Sequence, residues 1–189
     1  VSEKDRQALL RSNIQSDSIE LIYNAVNFDA DSIPSEPDDL RKKFNLPSNS
    51  LICTAVGRLV PVKGYDLLID AIKQIAAQVP QLVCLIVGEG ECMNDLSSQI
   101  EAAGLKDRVI LTGYQDRNNV MTILKSSDIF AMPSRYEGTP IALLEAAALG
   151  LPILAAASGG IPELVADQEH ALLVQPNDPT ALATGLLKL

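Results

Sequence analysis

The sequence predicts an α/β fold with a doubly wound, mostly parallel sheet, and three observations carry that expectation. Short β-rich runs alternate along the chain with longer segments of helical period. Most of the β-rich runs are continuously apolar instead of alternating, as strands covered on both faces of a parallel sheet are. With 189 residues and 47% hydrophobic content, the chain can bury the core of one domain, or of one domain plus an arm.

In chain order, the strand candidates are IELIY (19–23), LICTAV (51–56), LVCLIV (82–87), RVILT (108–112), DIFAM (128–132), PILAA (152–156) and ALLV (171–174). Between them YDLLIDAIKQIAAQV (65–79), MNDLSSQIEAA (93–103), NNVMTILKSS (118–127) and PIALLEAAAL (140–149) carry Leu, Ile and Ala at helical spacing. Alternation of this kind implies right-handed βαβ units. The stretch 27–50 is acidic, contains Pro and Ser, and is broken by a short helical DDLRKKF. It reads as a lead-in, which divides the chain into a segment 1–49 and a domain 50–189. No internal repeat and no low-complexity segment occur.

A net charge of −9 argues against nonspecific nucleic-acid binding, which rests on clustered Lys and Arg neutralising phosphates. Any phosphate must therefore be held locally. No apolar run approaches the roughly 20 residues that span a bilayer, and VSEKDRQALL lacks the tripartite character of a signal peptide. The expected location is cytoplasmic. The three cysteines show no C-x-x-C or metal spacing, so buried thiols in a reducing compartment fit better than disulfides or ligands. His170 has no Cys or second His with which to share a metal. The chain opens on Val1 in place of Met and closes on ALATGLLKL, inside an apolar-periodic helix, as a segment excised from a longer chain would.

Ligands of open α/β sheets sit beyond the carboxyl ends of the strands, and four loops at those ends carry unusual residues. GRLVPVKG (57–64) supplies Arg58 and Lys63, a planar fork and a point charge suited to a diphosphate; a solvated loop with two surface charges is the alternative. VGEGE (87–91) holds Gly88 and Gly90, but the third glycine of a dinucleotide fingerprint falls on Met93, which disfavours an NAD site. Its glycines still permit close approach of a ligand to the backbone. TGYQDR (112–117) offers Gly113 and Tyr114 as a border for a flat ring.

The fourth loop, SRYEGTPIALLEAAALG (134–150), sets Glu137 and Glu145 eight positions apart. Thr139 as N-cap and Pro140 as first helical residue would leave the amides of Ile141 and Ala142 at the positive end of the helix dipole, an anion site. The two carboxylates would then flank an anion, as a nucleoside-diphosphate sugar requires, with ribose hydroxyls on one side and sugar hydroxyls on the other. A helix whose acidic residues merely favour its N-terminal half is the alternative.

GRLVPVKG, VGEGE, VILTGY and EGTPIALLEAAALGLPILAAASGGIPELV, in this order, closely resemble the C-terminal, donor-binding half of retaining GT-B glycosyltransferases, the large family four (glycosyl transferases group 1). The resemblance runs from about residue 19 to the end, and its E-x7-E motif in the E-G-x-P form is specific. LIYNAVNFDAD (21–31) resembles the family's hinge, with Tyr23 and Ala25 where Pro and Gly are usual.

The resemblance implies the Rossmann-like half of a GT-B fold. It implies a role for Glu137 as catalytic residue against the transferred sugar, and for Glu145 on the ribose hydroxyls. Arg58 and Lys63 would contact the diphosphate, and Gly138, Thr139, Pro140, Ile141, Gly159 and Gly160 would lie close to the phosphates. Gly88, Gly113 and Tyr114 complete the expected donor-binding set.

No cofactor or obligatory metal is implied: Asp29-Ala30-Asp31 spells the D-x-D signature of a different fold, but lies in the acidic lead-in. The expected donor is a nucleoside-diphosphate sugar, a UDP-hexose by default. The acceptor, a glycan, lipid or small molecule, would sit on an N-terminal domain for which this chain has no room, so the isolated chain is expected to transfer nothing. A nucleotide-sugar-binding regulatory module and a GT-B nucleotide-sugar epimerase are the two alternatives that share these motifs.

Overall fold

The computed structural model describes residues 2–12, 14–27, 29–35 and 37–189. The hinge-like run and the lead-in therefore include two residues, Phe28 and Glu36, that lie outside the described ones, as do Val1 and Asn13 in the segment 1–49. Among the described residues six strands form a sheet: β1 (Leu51–Val56), β2 (Leu82–Val87), β3 (Val109–Leu111), β4 (Ile129–Met132), β5 (Ile153–Ala156) and β6 (Leu172–Val174). Their order is β3-β2-β1-β4-β5-β6 and all neighbours are parallel. Growth of the sheet reverses between β1 and β4, where Cys53 pairs with Ile129 and Thr54 with Phe130. That reversal opens the crevice in which such sheets bind ligands.

Helices cover both faces, and the period-2 alternation of each strand assigns its side chains between them. Cys53, Ala55, Cys84, Ile86, Ile129, Ala131 and Leu154 pack on one side with α3 (Tyr65–Ile75), α4 (Met93–Ala102) and α8 (Pro179–Lys188). Phe130, Met132, Ile153 and Ala155 pack on the other with α5 (Arg117–Lys125), α6 (Ile141–Ala148) and α7 (Ile161–Leu164). A third cluster joins Ile52, Val83, Leu85 and Val87 to Ile123 of α5 and to Leu40 of α2 (Pro37–Lys43). Buried on both faces, these strands have no polar side to show, hence their unbroken apolar sequences.

The helices follow from local chemistry. In α3 the buried residues Tyr65, Leu68, Ile69, Ile72 and Ile75 recur at the spacing of one helical face. Asp116 caps α5 by accepting the Asn119 amide at 2.9 Å, and Asp178 caps α8 by accepting those of Thr180 and Ala181.

Three expectations are corrected. Residues 19–23 form no strand; the run is extended but unpaired, with Ile22 and Tyr23 exposed. An apolar run becomes a strand only where a neighbour can take its backbone hydrogen bonds, and here the chain lies ahead of the sheet. The N-cap of α6 is Pro140, not Thr139, so the helix begins at Ile141 and no side chain caps it. The expected helices also overrun by a few residues, α3 ending at Ile75 instead of 79.

Residues Glu3–Arg11 add an unforeseen helix, α1, none of whose residues is buried. It lacks an apolar stripe and is stabilised at its start. A Ser2/Asp5 capping box closes the first turn, and the Glu163 carboxylate accepts the amides of Glu3 at 2.7 Å and Lys4 at 3.2 Å.

Cys53 and Cys84 are register neighbours, both fully buried, and hydrogen bonding to Cys53 together with burial pushes the Cys84 thiol up. Cys92, just ahead of α4, is half-buried. Intact-mass analysis after thiol alkylation should find Cys92 labelled alone in the native protein and all three cysteines labelled in denaturant. Labelling of Cys53 or Cys84 under native conditions would contradict this packing.

Candidate functional site

At the crevice the loop after β4 carries Glu137, which is only 8% exposed. A buried carboxylate needs partners, and two side chains supply them, while a third contact fixes the backbone of Glu137. Lys63, which ends a 3-10 turn over Pro61–Lys63, donates from Nζ to Glu137 Oε1 at 2.7 Å. Ser134 Oγ donates to the same oxygen at 2.6 Å. The Gly160 amide donates to the Glu137 carbonyl at 2.8 Å. Ser158 Oγ in turn donates to the Ser134 carbonyl at 2.7 Å, so the loops after β4 and β5 are laced together. Among the described residues both side chains engage Oε1, which leaves Oε2 as the oxygen to meet a ligand.

Beneath this pair lies Tyr65. Burial, reinforced by the negative Glu137 carboxylate, pushes its phenol up, so it stays protonated throughout the physiological range.

Glu145, in α6, is 5% exposed. Its Oε1 lies 2.8 Å from Nη1 of Arg117, the first residue of α5. Each buried carboxylate of the 134–150 stretch thus meets a cation from a different element, Lys63 just ahead of α3 on one face of the sheet and Arg117 at the start of α5 on the other. The first-turn amides of Ile141 and Ala142 still lie where no intrahelical carbonyl can reach them. Thr139 and Pro140 are buried there, Gly138 is half-buried, and the Thr139 carbonyl accepts from Asn24 Nδ2 at 2.7 Å.

The remaining predicted residues gather on the β1–β2–β3 side. The Gly88 amide donates to the Gly113 carbonyl at 3.1 Å. Next to them a cavity of about 490 Å³ is lined by Arg58, Gly88, Glu89, Tyr114, Gln115 and Val120, among others. Tyr114 stands 70% exposed at its rim and Arg58 is also exposed. Arg58 and Lys63, grouped by sequence, are thus divided: Arg58 borders this cavity while Lys63 reaches Glu137. Among the described residues no group of three or more His, Cys, Asp or Glu side chains is placed to hold a metal ion. Asp29 and Asp31 belong to a turn in which the Asp29 side chain accepts the Asp31 amide.

Several partners escaped sequence reasoning. Ser134 was visible as a hydroxyl three residues ahead of Glu137, the spacing at which a short side chain reaches across a turn. Arg117 had a subtler signal, a cation at a helix start, where the dipole disfavours it. Arg135 pairs bidentately with Asp66 of α3 at 2.8 and 2.6 Å and bonds the Pro61 carbonyl at 2.7 Å, bracing the turn that presents Lys63.

Comparisons with known proteins identify the family. The model of the family "Glycosyl transferases group 1" matches residues 36–189, and the chain belongs to that family. It is 36% identical over 175 residues to the UDP-Gal:alpha-D-GlcNAc-diphosphoundecaprenol alpha-1,3-galactosyltransferase of Escherichia coli, covering 90% of this chain and 45% of that protein. It is 32% identical to the D-inositol 3-phosphate glycosyltransferase of Mycolicibacterium smegmatis, covering 92% of this chain and 40% of that one. The chain thus spans less than half the length of these relatives. Anabaena HepE in complex with UDP-glucose superposes with a TM-score of 0.86 at 28% identity, over 99% of this chain and 52% of that one. The sheet with helices on both faces is accordingly the Rossmann-like half of a GT-B fold.

Two measurements probe the bracing. Gly159 has φ of 56°, and a Cβ on it would lie 1.8 Å from the Glu137 carbonyl oxygen. Gly159→Ala should therefore lower unfolding stability by about 1–3 kcal/mol in urea titrations. Gly104→Ala, with φ of 68° and nothing within 4 Å, should cost less. Equal costs would refute the close approach.

The hydrogen bonds from Arg135 hold the Asp66 carboxyl below its usual value of 3.8. A depressed folded-state pKa contributes stability above the ordinary aspartate range and loses it as pH falls through the folded value. Both side chains are partly exposed, so Asp66→Asn should cost about 0.5–1 kcal/mol at neutral pH. The gap from wild type should close in acid once Asp66 is protonated, and a gap independent of pH would contradict the assignment.

Proposed function

We propose that the chain is the donor-binding part of a retaining GT-B glycosyltransferase of family four. In this reading, residues 1–49 are lead-in and hinge, residues 50–189 bind the donor, and a separate N-terminal domain holds the acceptor, whether glycan, lipid or small molecule. The parent enzyme moves a hexose-type sugar from a nucleoside-diphosphate sugar, and UDP is the favoured carrier. Relatives and structural neighbours named for UDP-Gal, UDP and UDP-glucose support that choice. The observation that carries the reading is the 2.7 Å contact between Lys63 and Glu137. A diphosphate held by Lys63 puts the sugar attached to it beside Glu137, and no separate placement of the sugar is needed.

The remaining roles follow from charge. The bond between anomeric carbon and diphosphate oxygen breaks with negative charge growing on the phosphates and positive charge on the sugar. Lys63, Arg58 and the amides at the start of α6, with Gly138, Thr139, Pro140, Gly159 and Gly160 shaping the approach, stabilise the first without a metal ion. Glu137, with Oε2 presented, orients the sugar and stabilises the second. Glu145 takes the ribose hydroxyls, and the cavity lined by Gly88 and Tyr114, with Gly113 bonded to Gly88 beside it, takes the base. Transfer also needs the acceptor oxygen pressed against the anomeric carbon in a water-poor cleft, so the isolated chain binds donor without transferring sugar. None of the helices described is long and apolar enough to cross a membrane, and the free thiols suit a cytoplasmic setting.

A pair of titrations tests the assignment. UDP and UDP-glucose should each shift the melting temperature of the wild-type chain. Glu145→Gln should weaken both about tenfold to a hundredfold, the worth of a charge-assisted hydrogen bond of roughly 1.5–3 kcal/mol, because both carry the ribose. Glu137→Gln should leave UDP binding nearly intact. Loss of UDP binding in Glu137→Gln with retention in Glu145→Gln would reverse the roles, and no shift with either nucleotide would refute the reading.

A further inference from the structure

Arg117 is out of place by the rules of its own helix. It occupies the first position of α5, where the positive end of the dipole opposes a cation, and Asp116 already caps the turn. Its side chain is 63% exposed, whereas that of Glu145, 2.8 Å away, is 7% exposed. The geometry is that of an exposed cation reaching inward to a buried anion. Holding a long side chain in this position costs rotamer entropy and works against the dipole, so the carboxylate must supply the compensation.

The contact also occupies the oxygen that a nucleotide needs. A vicinal diol meets a carboxylate with two O–H donors, one for each oxygen, and Glu145 Oε1 is already bound to Arg117. A carboxylate with so little exposed surface offers few directions of approach, and the guanidinium takes one. Arg117 has somewhere to go: it lines an open cleft of about 450 Å³ with Ser32, Ile33, Pro34, Asn118, Met121 and Thr122, so its charge can leave Glu145 and remain solvated.

We propose that Arg117 competes with the ribose diol for Glu145 and so determines nucleotide affinity and its dependence on the ribose hydroxyls. The inference rests on the reading that Glu145 is the ribose carboxylate. Its sign distinguishes it from ordinary electrostatics. Removing a cation near a diphosphate site would by Coulomb attraction alone weaken binding, whereas removing a competitor strengthens it. The gain is confined to ligands that use Glu145, since a nucleotide without the diol has nothing to exchange for the guanidinium.

Calorimetric titration of the 189-residue chain with UDP and with 2′,3′-dideoxy-UDP provides the test. Arg117→Ala should bind UDP about twofold to fivefold more tightly than wild type, the range expected for losing a partly exposed ion pair. Its affinity for the dideoxy nucleotide should be unchanged. In a Glu145→Gln background the same substitution should have no effect on UDP. Circular dichroism melts of each variant verify that the fold is kept. Unchanged or weaker UDP binding by Arg117→Ala, or an equal gain for both nucleotides, overturns the proposal while leaving the nucleotide site standing. Failure of the wild-type chain to bind UDP at all removes the nucleotide site and the proposal with it.

Discussion

Everything at the crevice depends on the short pairing of β1 with β4. Two residue pairs define its register, and polar bonds at the base of the strands reinforce it: the Ile52 amide donates to Asp128 Oδ2 at 2.7 Å, and Thr54 Oγ1 meets Ser127 Oγ at 2.6 Å. At the opposite end the two strands release the loops that carry Arg58 and Lys63 from one side and Ser134 and Glu137 from the other. Because the chain winds away in both directions from this seam, the loops leaving its two strands part and open the crevice between them. A slip of one residue in β4 would turn Phe130 and Met132 from their core to the other face and carry Glu137 away from Lys63.

The second constraint is desolvation. Two carboxylates are nearly removed from water within a single turn-and-helix segment, an arrangement that costs several kcal/mol per ion unless partners are supplied. The fold supplies them from distant parts of the chain, Lys63 for Glu137 and Arg117 for Glu145. The cost is not recovered by hydrophobic packing, so the ionised state of the segment depends on these two cations. The same reasoning separates these pairs from the exposed pair of Lys106 with Glu101, whose charges stay in water.

The legible part of this architecture is the part written in local periodicity. Continuous apolar runs announced β1, β2, β4 and β5, and the face of α3 was readable from Leu68, Ile69, Ile72 and Ile75. The run at 19–23 misled because pairing is a property of neighbours, and its composition matches that of a buried strand although no described strand pairs with it. α1 was hidden for the converse reason: it has no apolar stripe, and beside its local Ser2/Asp5 capping box it is held by the carboxylate of Glu163, 160 residues away from Glu3. The identities of the loop residues at the strand ends were legible; their partners were not. No local pattern links Lys63 to Glu137 or Arg117 to Glu145, and sequence grouped Lys63 with Arg58 where the fold separates them.

The seam between β1 and β4 has a kinetic side. Ile52 and Asp128 are 76 residues apart, and the segment between them contains two complete strands and three helices that can form from nearer contacts. Closing so long a loop carries an entropy cost before any bond of the seam is made, and parallel pairings of this kind are among the slow steps of folding. The β1–β2–β3 half and the β4–β5–β6 half can each gain native contacts early. The crevice, whose two walls come from different halves, exists only after they dock.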